Sequence, residues 1–318
     1  MTTSTPALTS ARHTTQSVRP QPLLTVLRWE LRRFSSSRLF WLQALCFFVL
    51  VFFALWLGRE SNTFTLFGSL SGFVAGTSAW GLVSSLRDGL LLLPGLLLPF
   101  ANADGVTRDL QRRTHELLMT TALPSWAYVW GRYLTGLLMS LGLAVLMLAA
   151  ILGAGTLHYL TIPAYPAPDV GNVLILWGGM VVPATVLLSS VSFALGTLLP
   201  RQSLLIKIGI LLAWFVGMFM LPRGLSDTTG PAAWYSAWDP TSAVTAQGML
   251  LQYSTDFQNQ TAHLTSEAQL QHILLSVENQ VPNLGTWLAP HLLVAGASLL
   301  LVMLAAFSFQ RFRNTFGK

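Results

Sequence analysis

The sequence predicts an all-α fold: a polytopic integral membrane protein with six transmembrane helices and an N-terminal amphipathic helix lying in the membrane interface. Composition points there first, because 53% of the 318 residues are apolar and only 9% are charged, against roughly a quarter charged in soluble domains. Several uncharged apolar runs reach the about 20 residues needed to cross a hydrocarbon core of about 30 Å. The basic residues behind the net charge of +6 cluster beside those runs, which reads as topology and predicts no nucleic-acid partner. Cys46 is the only cysteine and lies inside the first run, excluding an intramolecular disulfide or a CxxC metal site. It reads as a small buried apolar side chain.

Residues 1–21 are rich in Ser, Thr and Pro and are expected to form a disordered cytosolic tail. From Pro22 to Phe34, Leu23, Leu24, Leu27, Leu31 and Phe34 recur at helical spacing, with Arg28, Arg32 and Arg33 off that face. This predicts the interfacial helix, the alternative being a cytosolic extension of the first span. The first run is too long for a signal-peptide core and shows no A-x-A cleavage pattern, so it is expected to be retained. Residues 22–318 are expected to form one transmembrane domain, with spans at 39–57, 83–103, 133–157, 173–199, 204–221 and 288–309. Pro183 is placed to kink the fourth span, and Lys207 to snorkel from the fifth.

The second span is the difficult one. A Gly- and Ser-rich uncharged stretch precedes Arg87 and Asp88, and the apolar run after them is about 15 residues, or about 22 Å. Either the span starts before Arg87, or Thr63 to Leu86 dips into the outer leaflet as a re-entrant or interfacial segment. With a single crossing here, all Lys and Arg except Arg59, Arg87 and Arg223 fall on the side of the two termini. The positive-inside bias then makes that side the cytosol, with the chain in the cell membrane. The external loop 222–286 is expected to form a small cap. Within it Ser266 and Gln269 have capping-box spacing, and Leu270, Ile273, Leu274 and Val277 form one face of a helix from about Glu267 to Asn279.

No catalytic, cofactor or metal site is expected. There is no G-x-x-x-x-G-K-[ST] phosphate loop, and in His115-Glu116-Leu-Leu-Met119 a methionine stands where a second zinc ligand belongs. His158 and His291, with Ser189, Ser190 and Ser192, raise the alternative of an intramembrane enzyme acting on lipid or peptide, although serines in spans more often serve helix packing. The middles of the well-defined spans lack Asp, Glu, Lys and Arg, which disfavours coupling to an ion gradient.

The stretch ADGVTRDLQRRTHELLMTTALPSWAYVWGRYLTGLL, between spans two and three, resembles the permease subunits of type 2 ATP-binding-cassette (ABC) exporters. Matching positions are Asp109, Thr114, Glu116, Leu117, Leu118, Pro124, Gly131 and Arg132. Arg113 stands where the family usually has Gly, and Pro124 comes later than in the family pattern. The RWELRRF stretch before span one and the Trp238-Asp239-Pro240 step in the last external loop agree with it. The resemblance implies a cytosolic coupling loop at 104–132 whose Asp109, Arg112, Arg113, Thr114, Glu116, Leu117, Leu118 and Pro124 dock an ABC ATPase. It also implies two ATPase copies carrying ATP and Mg, a second permease copy or a related permease, and an exporting direction. Residue chemistry suits docking: Asp104 can cap a helix, Leu110, Leu117 and Leu118 make an apolar stripe, and Arg108, Arg112, Arg113 and Glu116 remain polar. The same arginines would also enforce topology and bind anionic lipid without any partner. A non-transporting scaffold is the third functional class.

Overall fold

A computed structural model describes residues 21–58, 60–66, 70–105, 124–163, 165–224, 232–261, 267–281 and 284–316. Five helices are long and apolar enough to cross a membrane, and a bent pair supplies a sixth if it is one span. Helix α1 (Pro22–Ser35) begins with proline at its first position, where the missing N–H costs nothing. Ser37 then caps α2 (Arg38–Leu57) by accepting the Phe40 N–H, and the Trp41 indole N–H donates to the Ser35 carbonyl at 2.8 Å, fixing the elbow. Ala44, Phe47, Val51 and Leu55 recur every three or four residues and form the buried side of α2. Cys46 falls off that stripe and is exposed, which corrects its reading as a buried side chain.

The chain departs from a purely helical plan after α2. Strands β1 (Glu60–Leu66) and β2 (Leu70–Ala75) form an antiparallel hairpin, with Leu66 opposite Leu70 and Thr65 opposite Ser71. Alternating Thr, Phe and Val with small residues suits a pleated ribbon better than a helix, so the hairpin replaces the outer-leaflet dip expected from Thr63. Helix α3 (Ala79–Leu90) follows, capped by Ser78 Oγ on the Gly81 N–H. It is bent by 48° from α4 (Leu92–Asn102), and Gly89 leaves helical geometry at the break. Pro94 cannot donate an N–H back into the preceding turn, and the Trp214 indole N–H satisfies the Leu91 carbonyl at 2.9 Å. The pair begins at Ala79, ahead of Arg87 and of the 83–103 range read from the sequence. Arg87 holds Asp88 at 2.6 Å and donates to Gln247 Oε1 at 3.0 Å.

The remaining long helices are α5 (Ser125–Thr161), α6 (Val170–Leu198) and α7 (Pro200–Met220). Three shorter ones, α8 (Ala233–Trp238), α9 (Ala243–Thr261) and α10 (Glu267–Glu278), precede α11 (Leu288–Phe316). Helix α5 extends well beyond the 133–157 range at both ends. Pro183 does not break α6; the turn just before it, Trp177–Val181, widens to π geometry instead, one way a helix absorbs a missing N–H. The widened turn leaves the Gly179 carbonyl to the His291 ring, whose Nδ1 lies 3.1 Å away.

At the end opposite the termini, α3, α9, α10 and the hairpin build a cap over the bundle. Leu270, Leu274 and Val277 of α10 are buried, and Trp80 of α3 stacks on Tyr253 of α9 at 5.2 Å. Helix α9, not anticipated in the long connection, is launched by Asp239, which accepts the Thr241 and Val244 N–H groups at 2.9 and 2.6 Å. Glu278 ties the cap together: it is 1% exposed and accepts the Ala75 N–H at 3.1 Å from the base of the hairpin.

Burial pushes the Glu278 carboxyl up from 4.5 to about 7, with the Ala75 N–H and Ser78 acting in the opposite sense. The folded cap therefore holds a proton that the unfolded chain releases between these values, so its stability is complete below the unfolded pKa and falls as pH rises through the folded one. The loss is at most about 3 kcal/mol. Thermal melting from pH 5 to pH 8 is expected to show a falling Tm for the native chain, and a difference from Glu278→Gln that follows the same window, because the amide keeps an acceptor for Ala75 but does not titrate.

Candidate functional site

The stretch singled out for docking leaves the described bundle after Gly105 and re-enters at Pro124. Asp109, Arg112, Arg113, Thr114, Glu116, Leu117 and Leu118 lie outside the described residues. Pro124 is described: its extended backbone starts α5, and its carbonyl accepts the Ala127 N–H at 3.0 Å. What the structure supplies is the two flanks of the stretch, each fixed to a neighbouring helix by an ion pair.

On the outgoing flank, Asp104 follows directly on α4 and reaches α7. Ser203 Oγ and Lys207 Nζ each donate to its carboxylate at 2.6 Å, and Lys207 also stands 5.7 Å over the Phe100 ring. Lys207 is thus held by a carboxylate. Two residues back, Asn102 is 3% exposed and donates to Leu98 O at 3.1 Å and to Ser140 Oγ at 3.0 Å. Gly136 of α5 admits it, since a Cβ there would lie 2.3 Å from Asn102 Oδ1.

On the returning flank, Arg132 of α5 pairs with Glu30 of α1 at 2.8 Å, with side chains 7% and 1% exposed. The Arg132 guanidinium also lies 5.4 Å from the Tyr128 ring and 5.8 Å from that of Trp29. Gly131 lets α1 come this close: a Cβ on it would meet Val26 Cγ1 at 2.6 Å. The Gly-Arg step opening the third span therefore receives α1 through one residue and ion-pairs it through the other. Glu30 was passed over in the sequence, yet it carries a signal. It completes the 23–27–30–34 spacing of Leu23, Leu27 and Phe34, placing an acid on the packed side of the helix.

Between the flanks lies a cavity of about 290 Å³, with Glu30, Arg33, Asn102, Asp104 and Arg132 around its polar end. The residues raised for intramembrane catalysis are not brought together. Ser190 Oγ bonds Tyr133 at 2.8 Å and Ser189 lies by Asn102. His291 is held by Gly179 and Thr245, and the His158 ring stacks on Trp56 at 4.5 Å. Among the described residues no group of three His, Cys, Asp or Glu is placed to hold a metal ion. No protein-family model and no curated protein matches the chain.

A buried pair costs most when it is broken, because one charge is left without its partner. Glu30→Ala and Arg132→Ala are each expected to destabilise the protein by about 3 kcal/mol, and the double variant Glu30→Ala with Arg132→Ala by clearly less than the sum of the two. Thermal melts of the four proteins in one detergent form the double-mutant cycle that reads the coupling.

Proposed function

We propose that the chain is the membrane-spanning permease subunit of an ATP-driven ABC transporter, working as an exporter in the cell membrane with both termini in the cytosol. ATP and Mg belong to a separate ATPase, two copies of which serve a pair of permeases. The observation that carries the reading is the bracketing of residues 106–123 between Asp104–Lys207 and Glu30–Arg132. A loop that must pass a push from a partner into the membrane needs both ends fixed to spans, or the displacement is lost in the connection. Here the outgoing end is fixed to α7 and the returning end to α1. Residues 109–118 carry the charged and apolar types that resemble an ATPase-docking element, and a sequence without a phosphate loop is in keeping with a separate ATPase.

The test is recovery of the partner. The tagged chain, extracted in mild detergent, is expected to bring down a phosphate-loop ATPase identifiable by mass spectrometry. Replacing Arg112, Arg113 and Glu116 together by Ala should remove it while leaving the yield and melting of the permease unchanged. A chain recovered without any ATPase under conditions that preserve membrane complexes counts against the reading.

A further inference from the structure

The cavity on the terminus side is graded in polarity along its depth. At its terminus-side end stand Arg33, Glu30, Arg132 and Asp104. Further along the same helices Ala44, Leu97 and Leu143 take their place, with Gln43 and Ser140 among them. A smaller void of about 10 Å³ shares Leu97, Ser140 and Leu143 and carries the apolar end on to Phe47 and Thr185. The slot opens between α2 and α4 at Leu39, Phe100 and Ala101, where Leu39 is 63% and Phe100 46% exposed. In a membrane-spanning bundle such outward apolar side chains face acyl chains, so the mouth communicates with the bilayer as well as with the headgroup layer.

The four charged residues lining the cavity, Arg33, Arg132, Glu30 and Asp104, balance one another, and among the described residues Lys207, bound to Asp104, adds one cation beside them. Arg132 and Lys207 are each bound to a carboxylate at 2.8 and 2.6 Å. Arg33 is the accessible one: its side chain is 36% exposed and its contact with Glu30 is a loose 3.7 Å. The N-terminus of the 20-residue α2 opens on the same place at Ser37, Leu39 and Phe40, adding a dipole that favours negative charge. We propose that this slot binds one anionic phospholipid of the leaflet on the terminus side, with its phosphate at Arg33 and the start of α2. One acyl chain runs down past Phe40 and Leu97. A volume of about 290 Å³, at the lower limit of small-molecule sites, holds a phosphate and the upper part of one chain, and the rest of the lipid stays in the bilayer. The site rests on the chain spanning a membrane and not on its being a permease.

Native mass spectrometry of the full chain in mild detergent, titrated with phosphatidylglycerol or phosphatidylcholine, tests this. The native chain is expected to retain one phosphatidylglycerol in preference to phosphatidylcholine. Arg33→Gln should weaken phosphatidylglycerol about tenfold, the loss of one charged contact, and close the gap between the two lipids. Ala101→Trp, at an exposed position on the mouth, should weaken both lipids while melting like the native chain. Millimolar inorganic phosphate should leave lipid retention unchanged. Equal retention of the two lipids, native-like binding by both variants, or displacement of the lipid by phosphate would each overturn the assignment.

Discussion

The architecture depends on how closely helix backbones approach α6. Inside a bilayer the surrounding lipid is as apolar as the helices, so hydrophobicity does not drive spans together and close packing must. Helix α6 is the most enclosed of the five single-helix spans: 61% of its apolar stretch is buried, against 22–33% for the other four. Its small residues permit this. Ala184, Ser189, Ser190, Ser192 and Ala194 are all buried, and at Gly196 a Cβ would lie 2.1 Å from the Ala103 carbonyl. Helices α4, α5, α7 and α11 gather around it, while α1 and α2 pack on α5. The serines that invite a catalytic reading in the sequence thus lie along the best-packed helix of the bundle.

The two ends of the bundle are held by different chemistry. The terminus end uses full charges in pairs, Glu30 with Arg132 and Asp104 with Lys207. The cap relies on carboxylates answered by backbone N–H groups: Glu278 by Ala75, and Asp239 by Thr241 and Val244. Both kinds of contact are charge-assisted and short, and the ion pairs fix the two points where residues 106–123 leave and re-enter the described bundle.

The long spans were legible because the bilayer imposes one length and one polarity on them, so apolar runs such as Leu39–Leu57 and Leu288–Phe309 show their place directly. The helix at Glu267–Glu278 was legible from its period and its capping residues. The hairpin was not, because a Ser-, Thr- and Gly-rich segment between spans lacks the charges and apolar periodicity on which the reading relied. The alternation of Thr63, Phe64, Thr65 and Leu66 was the available signal. The two ion pairs were out of reach for another reason: 102 residues separate Glu30 from Arg132, and 103 separate Asp104 from Lys207. Their partners are decided by which helices become neighbours, a tertiary fact that no local pattern encodes. Cys46 was misplaced because apolar runs do not reveal which side of a span faces lipid.

Helix α5 has one property whose consequence reaches past its neighbours. Its 37 residues contain no proline and no widened turn, whereas α6 and α7 each carry one. At 1.5 Å per residue it is about 55 Å long, far more than a bilayer's hydrocarbon thickness. It begins after Pro124, with Arg132 about two turns in, and toward its other end His158 stacks on Trp56 and lies tilted against Tyr165 under the cap. Arg132 and His158 lie 26 residues apart, about 39 Å along one unbroken hydrogen-bonded ladder, so the ion pair on one side of the membrane and the aromatic contacts on the other are kept at a fixed spacing by a single helix.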